Sequence, residues 1–116
     1  MNIYDKAHEL ARALKESEQF KIYERAKEAA MENETNRALL TEYKKLQYQL
    51  QIQLARGGNA YADDMERYQK LTALLQMSSE ATAYMMAEFQ LQKTLADIYK
   101  ILGEAAGIDL DLLQGE

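Results

Sequence analysis

Apolar residues recur every three or four positions along most of the chain, a spacing that is typical of amphipathic helices. The 116 residues include no proline, so no position carries the residue that most strongly breaks a helix. We therefore predict helix over nearly the whole length. The first helix shows a 4-3-4 spacing of apolar residues, which are Ile3, Ala7, Leu10 and Leu14.

Two short polar segments predict where the early helices begin. Ser17 is a favoured N-cap residue, so we predict a break there and a second helix that runs to about Met31. Segment 33–36, Asn-Glu-Thr-Asn, offers side chains that compete with helical hydrogen bonds and then restart the helix.

A glycine pair divides the chain near its middle. Gly57 and Gly58, followed by Asn59, favour the left-handed backbone that ends a helix. Asp63 and Asp64 then place negative charge at the positive end of the next helix. The sequence therefore predicts a helical hairpin whose second arm is the fourth helix.

Segment 47–54 carries two conflicting signals. Glutamine and apolar side chains alternate strictly along it, as in a strand. We favour helix, because Leu, Gln and Lys are good helix formers and a lone eight-residue strand has no visible partner. Tyr48 and Ile52 then fall nearly opposite the main apolar stripe, which gives this third helix two apolar faces. The main stripe consists of Leu39, Tyr43, Leu46, Leu50 and Leu54.

The fifth helix, which Ser78 or Ser79 can cap, is predicted from about residue 80 to residue 106. It carries two neighbouring apolar seams, and together they form an arc wide enough to contact two neighbours. The first seam is Tyr84, Leu91, Leu95, Ile98 and Leu102, and the second is Met85, Phe89, Gln92 and Tyr99.

These two-faced helices predict a surface that binds protein. Methionine repacks easily and tyrosine gives rigid contact area, so Met77, Met85, Met86 and the eight tyrosines suit an interface as well as a core. The candidate protein interface consists of Tyr48, Ile52, Met85, Phe89 and Tyr99.

The composition of the chain is that of a folded domain. Hydrophobic residues make up 47% and charged residues 28% of the chain, which is ordinary for a globular protein. We predict one domain, residues 1–116, with an all-α fold: an antiparallel helical bundle of about five helices, with a long helical hairpin and a long C-terminal helix. The sequence contains no run of about 18 uncharged apolar residues, the length needed to cross a bilayer. Its start lacks the order of a basic segment followed by an apolar one that marks a secretory signal. The predicted location is the cytoplasm, away from any membrane.

The residues from which most catalytic and metal sites are built are absent. Without cysteine there is no thiolate nucleophile and no cysteine-held zinc or iron–sulfur cluster. His8 is the only histidine, and no Glu-x-x-His pair exists for a carboxylate-bridged di-metal bundle. The net charge of −5 argues against direct binding of nucleic acid, because such binding needs a concentrated basic surface. We predict no catalytic, cofactor-binding or metal-binding residues, and no enzyme.

The order of helices and three short segments resemble a known family. The segments are 4–11 (YDKAHELA), 14–18 (LKESE) and 106–111 (AGIDLD), and the chain resembles the YlbF/YmcA family of small bacterial helical proteins. The resemblance implies an all-helical, self-associating regulator of competence, sporulation or biofilm formation, in part as an accessory factor of an RNA-cleaving enzyme. Some members hold iron–sulfur clusters with cysteine, so the lack of cysteine here argues against a redox-sensing role.

Two functions of different classes follow. The first is a homo-oligomeric adaptor, a dimer or a dimer of dimers, that regulates another protein of a regulatory or RNA-processing complex. The second is a small ligand-binding bundle or enzyme, which needs a pocket with convergent polar groups. The paired apolar faces favour the first.

Overall fold

The computed structural model describes residues 2–59 and 61–108, and these ranges are almost entirely helical. They contain no strand, which confirms the predicted all-α class. Segment 47–54 lies within a helix, so the choice of helix over strand is also confirmed. Of the C-terminal segment 106–111, only residues up to 108 fall within the described ranges. The helices are α1 Ile3–Glu16, α2 Glu18–Glu32, α3 Glu34–Ala55, α4 Ala62–Gln76 and α5 Ser79–Ala106.

Four helices begin at a polar N-cap residue, and the first of these residues, Asn2, accepts from the Tyr4 N–H at 2.8 Å. Ser17, Asn33 and Ser78 each accept, through a side-chain oxygen, a hydrogen bond from the backbone N–H three residues later, at 3.2, 2.9 and 3.2 Å. Each bond satisfies one of the N–H groups that a helix start leaves without a partner. The breaks predicted near these residues are confirmed, and α5 begins one residue earlier than the sequence indicated.

The turn between α3 and α4 uses the predicted glycine. Gly57 adopts φ +81°, a left-handed conformation that side chains rarely allow. Gln53 stabilises the turn, because its Oε1 accepts from the Tyr61 N–H at 2.8 Å and its Nε2 donates to Asp64 Oδ2 at 2.7 Å. The predicted helical hairpin is therefore present.

The hydrophobic core is small and lies where four helices meet. α2 packs along α5, α3 packs along α4, and α2 also contacts α3. The side chains with the least exposure lie at this meeting point, and Tyr23, Met31 and Met85 pack around them. The buried cluster consists of Ala30, Leu40, Leu75, Ala81 and Tyr84.

The molecule is a flat layer. Its Cα atoms extend 49 × 37 × 15 Å, and the radius of gyration is 16.9 Å, against about 13 Å for a compact domain of this length. A Cα thickness of 15 Å corresponds to about two packed helices, since the Cα cylinder of one helix is roughly 4.6 Å wide and packed helices lie about 8–10 Å apart. The sequence pattern did not predict this flat shape.

α1 is the least covered of the five helices. It contains no buried residue, and its packing within the layer is against the neighbouring α2. Within the described residues, no helix combines the length and apolar content that crossing a bilayer requires.

Candidate protein-binding groove

A groove of about 530 Å³ opens between α3 and α5, and we call it the central groove. Its α3 wall follows the i, i+3, i+4, i+7 spacing of one helix face. The α3 wall is formed by Leu40, Tyr43, Lys44 and Gln47, and the α5 wall includes Tyr84, Met85, Glu88 and Phe89.

α3 and α5 are tied together at one end of this groove. Asn36, a buried residue of α3, donates from Nδ2 to Ser78 Oγ at 2.9 Å. The same Ser78 oxygen caps α5, so one hydroxyl joins the two helix starts. Both helices lead away from this point in the same chain direction, and their backbones make little contact. The central groove is therefore closed at the Asn36 end and open at the other.

Three side chains form a polar network on the groove floor. Lys44 Nζ donates to the Tyr84 hydroxyl and to Glu88 Oε2, both at 2.6 Å. Tyr84 in turn donates its hydroxyl hydrogen to Glu88 Oε2 at 3.1 Å. Lys44 Nζ also lies 4.9 Å from the centroid of the Tyr84 ring, within the range of a cation–π contact. The three side chains hydrogen-bond to one another, and the network links α3 to α5.

The pKa values of Tyr84, Lys44 and Tyr43 are all raised, which makes these three groups poor general bases near neutral pH. Burial raises the pKa of Tyr84 to about 12, and the Glu88 carboxylate adds to the rise, while Lys44 opposes it. Burial alone would lower the pKa of Lys44, but its hydrogen bonds to Glu88 and Tyr84 outweigh this, so its pKa is raised. Burial, and then the hydrogen bond with Tyr68, raises the pKa of Tyr43. All three stay protonated at pH 7, whereas a general base must be free to take a proton there.

Stability is expected to fall as the pH rises from about 10 towards 12. The folded pKa of Tyr84 is about 12, above the value of about 10 for an unfolded tyrosine. The contribution of Tyr84 to the free energy of unfolding is therefore complete below pH 10 and is lost as the pH rises towards 12. The raised pKa of Lys44 acts in the same direction. Urea unfolding midpoints at pH 8 and pH 11 measure the loss. Tyr84→Phe should lose less than the wild type, and equal losses would contradict this assignment.

The other groove wall is held rigid by the α3–α4 hairpin. The hydroxyl groups of Tyr43 and Tyr68 are 2.8 Å apart, and the two rings stack with centroids 5.0 Å apart. Arg67 of α4 forms a salt bridge with Glu42 of α3 beside this stack. These contacts hold α3 and α4 together as one hairpin.

The five residues of the predicted interface are not all in one place. Met85 and Phe89 line the central groove, and Phe89 is 68% exposed. Tyr48 is exposed and Ile52 half-buried further along α3, while Tyr99 is exposed near the end of α5. The predicted α3 stripe includes Tyr43 but not the other three residues of the α3 wall, because it follows the face that packs on α4. The spacing of Leu40, Tyr43, Lys44 and Gln47 was the signal that would have found it.

Other parts of the described surface are weaker candidates for a functional site. A hollow of about 700 Å³ lies on α2, but it is walled by side chains of that helix alone, such as Phe20, Tyr23 and Lys27. His8 is exposed on α1. In residues 2–59 and 61–108, no group of three His, Asp or Glu side chains is placed to hold a metal ion. The central groove is the candidate site.

Comparison with known sequences finds similarity along nearly the whole chain. The family model for control of competence regulator ComK, YlbF/YmcA, matches residues 3–106. A UPF0342 protein of Symbiobacterium thermophilum is 35% identical over 108 residues, which cover 93% of this chain and 96% of that protein. A UPF0342 protein of Caldicellulosiruptor saccharolyticus is 36% identical over 107 residues, which cover 92% and 89% of the two chains.

Solved structures share the fold. A protein of unknown function (DUF964) from Bacillus stearothermophilus superposes with a TM-score of 0.75 at 27% identity, covering 90% of this chain and 92% of that one. Bacillus subtilis RicA, solved in complex with RicF, gives a TM-score of 0.60 at 19% identity, covering 90% and 93%. The second likeness shows the fold alone.

Proposed function

The chain belongs to the YlbF/YmcA family, whose model describes control of competence regulator ComK, and we propose that it is a non-enzymatic, self-associating adaptor that regulates another protein. The partner belongs to a regulatory or RNA-processing complex, in keeping with the developmental roles that the family resemblance implies. The protein acts in the cytoplasm.

The observation that carries this proposal is the exposed apolar surface. In the described residues, sixteen large hydrophobic side chains are exposed, spread over a layer that is only 15 Å thick. Large exposed apolar surfaces mark interfaces on soluble proteins. Symmetric pairing with a second copy is the commonest way to cover a patch that a chain presents to itself.

The central groove supports an adaptor better than an enzyme or a ligand-binding bundle. Its volume of about 530 Å³ falls within the range of small-molecule pockets, but such pockets need polar groups that converge on a ligand. The polar groups of the groove floor bond to one another instead. Its exposed apolar side chains, above all Phe89, suit contact with a protein surface. RicA, which shares this fold, was solved in complex with another protein, RicF.

We assign self-association to the predicted interface of Tyr48, Ile52, Met85, Phe89 and Tyr99. Placing a charge on two well-packed anchors costs about 2 kcal/mol or more, which weakens association more than tenfold. Light scattering at micromolar concentration should therefore give the mass of an oligomer for the wild type. The double variant Ile52→Glu, Phe89→Glu should give a lower mass.

The matched control adds the same charge at polar positions of the same two helices. Gln51→Glu with Gln90→Glu changes two exposed residues next to Ile52 and Phe89, and should leave the mass unchanged. A monomeric wild type would refute self-association. An oligomer that keeps its mass in the Ile52→Glu, Phe89→Glu variant would refute the assigned face. Affinity purification from the native host with both proteins then asks whether the regulated partner needs the same surface.

A further inference from the structure

Two apolar surfaces near the same end of the molecule are covered by nothing within residues 2–59 and 61–108. One is the apolar stripe of α1, where Ile3 is 80% exposed. The other is the last part of α5, residues 95–106, which we call the distal α5 segment. It exposes Leu95, Tyr99 and Leu102 among others. Each surface is amphipathic and lacks a partner helix within the described structure.

The course of α2 explains why these surfaces are neighbours. α2 runs antiparallel to α5, because its start lies beside Thr94 and its end lies in the buried cluster with Ala81. The contact at its start is a hydrogen bond from Thr94 Oγ1 to Gln19 Oε1 at 2.6 Å. α2 therefore covers α5 only as far as about Thr94. α1 ends at this same point, and the distal α5 segment continues beyond it.

The junction at Ser17 holds α1 away from the α5 of its own chain. Ser17 donates to the Leu14 carbonyl through both its N–H, at 3.1 Å, and its hydroxyl, at 2.6 Å. Its hydroxyl oxygen also accepts from the Phe20 N–H at 3.2 Å. One residue thus caps the end of α1 and the start of α2 and fixes the angle between them. At that angle α1 packs against α2 and leaves its stripe open.

The two open surfaces have matching spacings. The open stripe of the distal α5 segment has a 3-4 spacing, and the α1 stripe with its 4-3-4 spacing contains the same interval in both directions. One helix can therefore lie along the other with its apolar residues in register in either relative orientation. The stripes are Ile3, Ala7, Leu10 and Leu14 in α1, and Leu95, Ile98 and Leu102 in α5.

The exposed area is that of a stable dimer. With roughly 200 Å² for each fully exposed large side chain, the exposed fractions on the two surfaces correspond to about 800 Å² per chain. Each partner of a standard interface contributes about 800 Å². The side chains counted are Ile3, Tyr4, Leu10, Leu95, Tyr99, Ile101 and Leu102.

We propose that two copies of this chain exchange their first helices, so that α1 of each copy docks on the distal α5 segment of the other. A two-fold axis relates the two contacts, since each copy supplies both surfaces. This inference rests on the self-association proposed above and adds a second contact between copies, separate from the one at Ile52 and Phe89. Tyr99 then belongs both to the predicted interface and to the docking site of the partner's α1.

The absence of cysteine from the sequence allows a clean test by cross-linking. Ala7→Cys and Ile98→Cys each place one thiol near the centre of a stripe, and equal amounts of the two proteins are mixed and treated with a short bismaleimide. Docked thiols sit at an effective concentration near the millimolar range, so at micromolar protein the mixed covalent dimer should form about a hundredfold faster than by chance collision. Intact mass identifies this dimer. Leu95→Cys, one turn away, replaces Ile98→Cys if that variant does not fold.

The control moves the thiol to the opposite face of the same helix. Glu9→Cys is exposed on α1 and points away from the stripe, so its mixture with Ile98→Cys should stay at the rate of chance collision. A chain that carries both Ala7→Cys and Ile98→Cys and links within itself at high dilution would overturn the exchange in favour of docking within one chain. A wild type that is oligomeric by light scattering but gives no mixed cross-link would also overturn it and leave self-association standing. A monomeric wild type would contradict both the helix exchange and the self-association on which it rests.

Discussion

Replacing Leu75 with alanine is expected to lower the free energy of unfolding by about 2–5 kcal/mol. Leu75 is fully buried in the cluster that joins α2, α3, α4 and α5. Truncation removes its transfer free energy and leaves a cavity that the surrounding helices fill only in part. Urea unfolding followed by circular dichroism at 222 nm measures the change.

Leu74→Ala is the matched control. Leu74 is the next residue on the same helix and is 50% exposed, so the same chemical change should cost less than about 1 kcal/mol. Equal losses in the two variants would mean that the cluster around Leu75 is not the core.

The size of the core makes the Leu75 effect severe. Only eight apolar side chains of the described residues are buried, and two of them are alanine. Domains are stable by only about 5–15 kcal/mol, so one truncation can remove a large part of the total. Under the proposed self-association, a chain with so little core and so much exposed apolar surface would gain stability from association, and folding would be coupled to oligomer formation. The Leu75→Ala variant should therefore also be more sensitive to dilution than the wild type.

The helices could be predicted from the sequence because their signals are local. Ser17 and Asn33 cap helices through bonds to residues three positions later, and Gly57 supplies the left-handed turn. The alternating segment 47–54 was resolved in favour of helix by residue propensity and by the lack of a partner strand. These features depend on a few neighbouring residues, so a single sequence carries them in full.

The flat layer and the central groove could not be predicted in the same way. They depend on contacts between residues far apart in the chain, such as Asn36 with Ser78 and Lys44 with Glu88. Periodicity shows that a helix has two apolar faces, but it does not show which face meets which helix. For that reason the sequence placed Met85 and Phe89 in an interface without finding the α3 wall that faces them.

The position of the groove also depends on how closely α2 approaches α5. Ala30 and Ala81 are both fully buried where these helices cross. Small residues at a crossing let two helix backbones approach each other. The contact fixes the direction of α5 relative to the rest of the layer, and so it sets both the width of the groove and the reach of the distal α5 segment.

Ala30→Leu is therefore expected to force α2 and α5 apart and to cost about 1–3 kcal/mol, because a full core has no room for three more carbon atoms. For a chain of this size that corresponds to a fall in the unfolding temperature of roughly 4–12 °C, which a thermal melt measures. Ala29→Leu adds the same atoms at the neighbouring exposed position and should change the unfolding temperature by no more than about 2 °C, since both residues are good helix formers. If the two variants melt together, α2 and α5 do not approach closely at Ala30, and the direction assigned to the distal α5 segment is wrong.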